Sequence, residues 1–250
     1  MTTVSLIACA IAVGCAASTR ANVGDPPRYL ALGDSYTIGE RVDSASRWPV
    51  QLARALRAKG VAMGDPQIIA RTGWTTDELS AAIDRERPSG PYELVSLLIG
   101  VNNQYRGRSA VQYESDITAL LDRAIALAGG RPAHVLVLSI PDWGVTPFAA
   151  GRDRAKIGAE IDAFNEVARQ RSRVRGVRFV DITPGSRRAD TDPSLVAPDG
   201  LHPSAKMYAE WTAAALRALD GAGQESPSNP ISRRGERSEP ISHVYLPMLS

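Results

Sequence analysis

Residues 29–40 read YLALGDSYTIGE. Tyr29-Leu30-Ala31-Leu32 is a continuous apolar run of the length of a short buried β-strand. Gly33-Asp34-Ser35 then marks a sharp exit from it, because Gly and Asp accept the backbone angles of tight turns. Ser35 therefore stands where a strand hands over to a helix. Two roles suit a serine there. Its side chain can cap the helix that follows, or the turn can hold its hydroxyl up as a nucleophile. The turn does not decide between them, so the discriminating residues must lie elsewhere in the chain.

Working outward, apolar runs recur at 28–33, 67–70, 93–99, 134–140 and 177–182. Helix-like segments separate them. WPVQLARALRAKG places Val50, Leu52 and Leu56 at helical spacing and stops at Gly60. TTDELSAAIDRER opens with a Thr cap and an acidic first turn. SAVQYESDITALLDRAIALAGG ends in Gly129-Gly130. RAKIGAEIDAFNEVARQRS carries Ile157, Ile161, Phe164 and Val167 on one face. PSAKMYAEWTAAALRAL begins with Pro203 near the first helical position. Strands spaced by such helices form βαβ units and a parallel sheet. Runs such as HVLVLSI fit strands covered on both faces. The expected fold is a single three-layer α/β/α domain over 27–221, with a mostly parallel five-stranded sheet, right-handed crossovers and ligands at the carboxyl ends of the strands.

The 250-residue chain is 44% hydrophobic and 22% charged with a net charge of +2, an ordinary globular balance that gives no reason to expect a nucleic-acid partner. The two cysteines, Cys9 and Cys15, both fall in the first apolar stretch, so the body offers neither a disulfide, nor a thiolate metal site, nor a thiol nucleophile. Three histidines, His134, His202 and His243, are too few for a His-rich metal centre. Val4 to Ala17 is short for a membrane span and suits the apolar region of an export leader over 1–21. Ala12-Val13-Gly14-Cys15 resembles a bacterial lipoprotein cleavage box, which would anchor the chain to a membrane through a lipid on Cys15. An exported bacterial protein follows, as a periplasmic, surface-bound or secreted monomer. Residues 222–250 are rich in Pro, Ser, Arg and Glu without apolar periodicity, and read as a disordered tail.

Four stretches bearing chemistry are expected directly after strands, along one edge of the sheet. They are Gly33-Asp34-Ser35, Gly73 in ARTGW, Gly100 to Asn103 in GVNN, and Pro198 to Ser204 in PDGLHPS. Ester cleavage by a serine needs a hydroxyl, a base, a carboxylate to orient the base, and donors for the oxyanion. Ser35 supplies the hydroxyl, at a helix start whose free N–H groups and dipole favour negative charge. His202 supplies the base, and Asp199, three residues before it, the orienting carboxylate. Gly73 offers a backbone N–H with no side chain in the way, and Asn102 a side-chain amide. Each residue also has an ordinary structural role as cap, surface turn or loop brace, but one shared explanation covers all of them at once. His134, in or just before a strand, and His243, in the tail, are poorer bases.

These residues, in this order, resemble the SGNH or GDSL-type hydrolases, whose four letters fall here on Ser35, Gly73, Asn102 and His202. The resemblance runs from about Tyr29 to Leu219. It departs at Asn103, where the family often has Asp. It implies a flavodoxin-like fold with an exposed active site, a GDSL-type esterase or lipase activity, and neither metal nor cofactor. Tyr36, Trp74, Tyr105 and Trp143 stand on the strand-end loops as candidate walls of an acyl or sugar pocket, and Arg106 and Arg108 as candidate contacts for an acidic head group. The substrate would be a small-molecule, glycan or lipid ester. Two alternatives use the same scaffold: acyl transfer to a sugar, or a non-catalytic module for carbohydrate or surface binding, whose mark would be loss of Ser35, Asp199 or His202.

Overall fold

The run at the start of YLALGDSYTIGE forms β1, Tyr29–Gly33, and every residue of it is buried. The structure is a computed structural model and describes residues 26–221. The expected leader and tail, with Cys9, Cys15 and His243, lie outside the described residues.

In chain order β1 is followed by α1 (Ser35–Ile38), α2 (Trp48–Ala58), β2 (Pro66–Ala70), α3 (Thr76–Glu86), β3 (Leu94–Leu98), α4 (Val101–Tyr105), α5 (Ala110–Leu127), β4 (Val135–Leu138), α6 (Arg154–Val174), β5 (Arg178–Val180), α7 (Thr183–Ser186) and α8 (Ala205–Leu219). The strands form one sheet in the order β2-β1-β3-β4-β5, and every neighbouring pair is parallel. α2 packs against α8, while α5 packs against α3 and α6. These two groups supply the outer layers of the expected sandwich. The one polar side chain of the β3 interior, Ser96, is satisfied by the Tyr29 hydroxyl at 2.9 Å.

The strand order reverses direction between β1 and β3. A crevice opens at the carboxyl ends of such a pair, and Gly33 and Leu98 end the two strands in register there. Gly33 is required by space: a Cβ at this position would collide with the Leu98 carbonyl oxygen and the Thr37 side chain. The glycine thus lets α1 turn back tightly over the end of β3.

Several boundaries differ from the sequence expectation, and at the ends of β4 and β5 a side chain takes over a backbone partner. The run 134–140 yields a strand only to Leu138, because Asn165 of α6 both donates to the Ile140 carbonyl (2.9 Å) and accepts from its N–H (2.7 Å). The run 177–182 stops at Val180, because the Ser139 hydroxyl accepts from the Ile182 and Thr183 N–H groups at 2.8 and 3.1 Å. Pro203 does not start α8. It pairs as an isolated bridge with Val196, and Ser204 caps the helix by accepting from the Met207 N–H at 3.3 Å. Finally, 198–204 does not follow the last strand directly: α7 and two short 3₁₀ turns come between.

Candidate active site

Ser35 is the first residue of α1, at the carboxyl end of β1, and is 6% exposed. It does not cap the helix. Asp34 does, accepting from the Tyr36 N–H at 3.0 Å. Gly39, in the left-handed region at φ 66°, ends the helix after a single turn. So short a helix has little dipole, and the donor near Ser35 is its own unbonded N–H, one of the orphan groups of a helix start. This replaces the dipole expected from the sequence.

The Asp34 carboxylate is wholly buried, and its second oxygen has no hydrogen-bond partner. Burial pushes its pKa up to about 7, against the opposing effect of the Tyr36 N–H. The folded state therefore holds a proton that the unfolded chain releases near 3.8. Stability from this group is complete below pH ~4 and is lost as pH rises towards 7. A shift of this size corresponds to at most about 4 kcal/mol. Asp34→Asn keeps an oxygen for the Tyr36 N–H but cannot ionise. Relative to wild type, the variant should gain stability on going from pH 5 to pH 8 in urea unfolding. A gap between the two proteins that is flat with pH, or of opposite slope, would refute the burial argument.

The stretch Asp199-Gly200-Leu201-His202 folds on its own carboxylate. Asp199 Oδ1 accepts from the Leu201 and His202 N–H groups, each at 3.0 Å, and Oδ2 lies 2.6 Å from His202 Nδ1. Burial opposes the charge on Asp199, but the bonds from the His202 side chain and the two N–H groups outweigh it and hold the carboxyl below its ordinary pKa. A charged acceptor at Nδ1 selects the tautomer with the proton on Nδ1, which leaves Nε2 with its lone pair. The ring is held from the side by Tyr36, edge-on with centroids 5.8 Å apart.

α4 carries two adjacent asparagines with different duties. Asn102 is half-buried, and its Nδ2 donates to the Trp74 carbonyl at 2.9 Å. Asn103 is buried, with Oδ1 accepting from the Thr76 N–H (3.1 Å) and Nδ2 donating to the Thr76 hydroxyl (2.7 Å). The first bond brings the 73–74 turn beside α4, and Arg106 adds a bond from Nη2 to the Gly73 carbonyl at 2.7 Å. Gly73 has φ +83°, and a Cβ there would meet only Arg106, so conformation, not space, requires glycine. Its N–H donates to no backbone or side-chain acceptor among the described residues.

Ser35, Asn102 and His202 line one open cavity of about 170 Å³. The rest of its wall is apolar or aromatic: Tyr36, Val101, Tyr105, Trp143, Phe148 and Leu201. Three of the four sequence-proposed wall residues are therefore present. Trp74 is not; it is partly buried and packs on the core. Gln104 was not foreseen. It is buried, accepts from Trp143 Nε1 at 2.8 Å and donates to Glu160 at 2.7 Å, and so fixes the Trp143 indole in the wall. Phe148 was missed too, although it lies in the loop after β4, where the strand-end rule points. Arg106 and Arg108 are paired with Glu78 and Asp77. His134 sits just before β4, at the opposite end of the sheet from Ser35, with Nδ1 on the Glu93 carbonyl at 2.8 Å.

Comparison with known proteins gives a consistent picture. The model of the GDSL-like Lipase/Acylhydrolase family matches residues 31–210. The chain is similar to the crystal structure of TesA, with a TM-score of 0.62 and 20% identity over 78% of this chain and 98% of that one. It is similar to Axe2, an acetylxylan esterase from Geobacillus stearothermophilus, at TM-score 0.61 and 19% identity over 77% and 94%. A member of the lipolytic protein G-D-S-L family from Veillonella parvula follows at TM-score 0.59 and 17% identity over 77% and 98%. These likenesses show the fold. No curated protein matches the sequence.

Proposed function

The chain belongs to the GDSL-like lipase/acylhydrolase family and is a hydrolase acting on esters, and from that premise we propose that it cleaves short-chain carboxylic esters through an acyl-enzyme on Ser35. One observation carries the reading: Ser35 lines the same cavity as His202, whose Nδ1 is held by Asp199. In the first half-reaction His202 Nε2 takes the Ser35 proton as Oγ bonds to the ester carbonyl carbon. The oxyanion is received by the N–H groups of Ser35 and Gly73 and by the Asn102 amide. The carbon–alkoxide bond then breaks, and the imidazolium returns its proton to the leaving alcohol. Water repeats the sequence on the acyl-enzyme and releases the acid. Asp199 keeps the imidazole oriented throughout and does not itself gain the proton.

The cavity bounds the acyl group. An apolar cavity of about 150 Å³ holds a benzene molecule of six heavy atoms, and this one is about 170 Å³. Acyl groups of roughly two to six carbons fit; long chains would project into solvent.

A fluorophosphonate probe should modify Ser35, located by peptide mass spectrometry, and fail on Ser35→Ala. A series of phenyl esters should show kcat/KM highest between acetyl and hexanoyl. Modification elsewhere with Ser35 untouched would refute the nucleophile. A rise that continues to dodecanoyl would refute the size limit.

A further inference from the structure

We propose that Arg152 is a docking cation for an anionic group on the ester substrate, placed at the exposed end of the aromatic wall. The inference rests on the reading of Ser35 as nucleophile. Arg152 is exposed and lies in the loop between β4 and α6. Its guanidinium carbon is 5.3, 5.4 and 5.3 Å from the ring centroids of Tyr105, Trp143 and Phe148. All three rings line the cavity that holds Ser35 and His202. Nη2 also reaches the Tyr105 hydroxyl at 3.3 Å.

Two features separate this arginine from its neighbours. Arg41, Arg106, Arg108 and Arg154 each have a carboxylate partner. Arg152 forms no ion pair among the described residues, and the adjacent Asp153 uses Oδ1 to cap α6, accepting from the Lys156 N–H at 2.9 Å. Aromatic faces attract a guanidinium without neutralising it, and a stacked guanidinium keeps in-plane N–H donors for a carboxylate or phosphate. The rings are themselves unusual. Tyr105 and Phe148 are 48% and 40% exposed, whereas the other exposed large apolar side chains among the described residues are valines. Exposed aromatic surface next to a pocket marks a place where a ligand makes contact. A ligand resting on these rings with one end near Ser35 brings its other end to a positive charge. The ligand class is an ester with a carboxylate or phosphate a few bonds from the scissile carbonyl, on either the acyl or the alcohol side.

The test compares charged and neutral esters in the same phenol-release assay. Monophenyl adipate against phenyl hexanoate places the charge on the acyl side, and 4-acetoxybenzoate against phenyl acetate on the alcohol side. Arg152→Gln and Arg152→Ala should each lower kcat/KM for the charged ester of at least one pair by about three- to fivefold, the upper part of the range of an exposed ion pair. The neutral partner should change less than about twofold, and Arg152→Lys should keep most of the preference. The pair that responds identifies the side. An equal fall on charged and neutral esters would mean that Arg152 only packs the rings, and would overturn the proposal. So would an unchanged ratio in both pairs, or no wild-type turnover of either charged ester. Ser35→Ala is run alongside. Turnover surviving in that variant overturns the nucleophile, whereas a dead Ser35→Ala with an unchanged Arg152 ratio overturns the docking cation alone.

Discussion

Replacing His202 with alanine should lower kcat by about 10⁴- to 10⁶-fold, the loss seen when a serine triad is deprived of its base. The reason is in the site. A serine hydroxyl is a poor nucleophile until its proton is taken, and on the proposed mechanism His202, which lines the same cavity as Ser35, takes it. Residual activity would come from the oxyanion donors and substrate binding. Asp199→Ala should act through the same imidazole and lose about 10³- to 10⁴-fold, because the 2.6 Å bond to Nδ1 and the turn built on two N–H bonds both disappear. The same bonds hold the Asp199 carboxyl below its ordinary pKa, which keeps it a charged acceptor for Nδ1. Thermal unfolding of both variants comes before kinetics, as the ring of His202 packs on Tyr36. A His202→Ala enzyme that keeps more than a few per cent of wild-type kcat would remove the base from this turn. His134 could not replace it locally, lying at the amino end of the sheet against Glu93.

The architecture was legible because it rests on long signals. Five apolar runs alternating with helices of 11 to 21 residues give βαβ units without ambiguity, and the sheet is parallel in the expected flavodoxin-like order. What was not legible is short or long-range. α1, α4 and α7 are four or five residues each, too brief for a 3.6-residue period to appear. The ends of β4 and β5 are set by Asn165 and Ser139, which lie 25 and 43 residues from the N–H groups they bind, and no local pattern announces such bonds. In the site, PDGLHPS announced its own turn, since the Asp199 and His202 bonds close within four residues. The pocket did not. Trp74 and Phe148 are both aromatics on strand-end loops, and composition treats them alike. Trp74 is turned to the core, with its carbonyl taken by Asn102, while Phe148 stays in the cavity wall. Gln104 reads as one more polar residue until Trp143 and Glu160 are seen on its two ends.

Asn102 and Asn103 test the oxyanion assignment at single-residue resolution. Both carry the same amide on the same one-turn helix, yet their surroundings differ. Asn102 lines the cavity, and its bond to the Trp74 carbonyl occupies one N–H of the amide and leaves the other available. Asn103 is 1% exposed and has both ends of its amide bound to Thr76. A donor directed at a forming oxyanion gains most in the transition state, because the neutral carbonyl of the bound ester is the weaker acceptor. Asn102→Ala should therefore lower kcat by about 10²- to 10³-fold, or roughly 3–4 kcal/mol of barrier, with KM little changed. Asn103→Ala removes two buried bonds and leaves the Thr76 N–H without an acceptor. It should cost about 2–4 kcal/mol of folding stability. Its effect on kcat in the folded enzyme should stay within about tenfold, as α4 shifts slightly against α3. Urea unfolding and steady-state kinetics on both variants separate the two costs: one protein should be stable and slow, the other less stable and active. If Asn103→Ala is the slow enzyme while Asn102→Ala runs near wild type, the donor has been assigned one residue too early. If neither is slowed beyond tenfold, the oxyanion is held by the Ser35 and Gly73 N–H groups, and the bond from Asn102 to Trp74 serves only to set the position of that glycine.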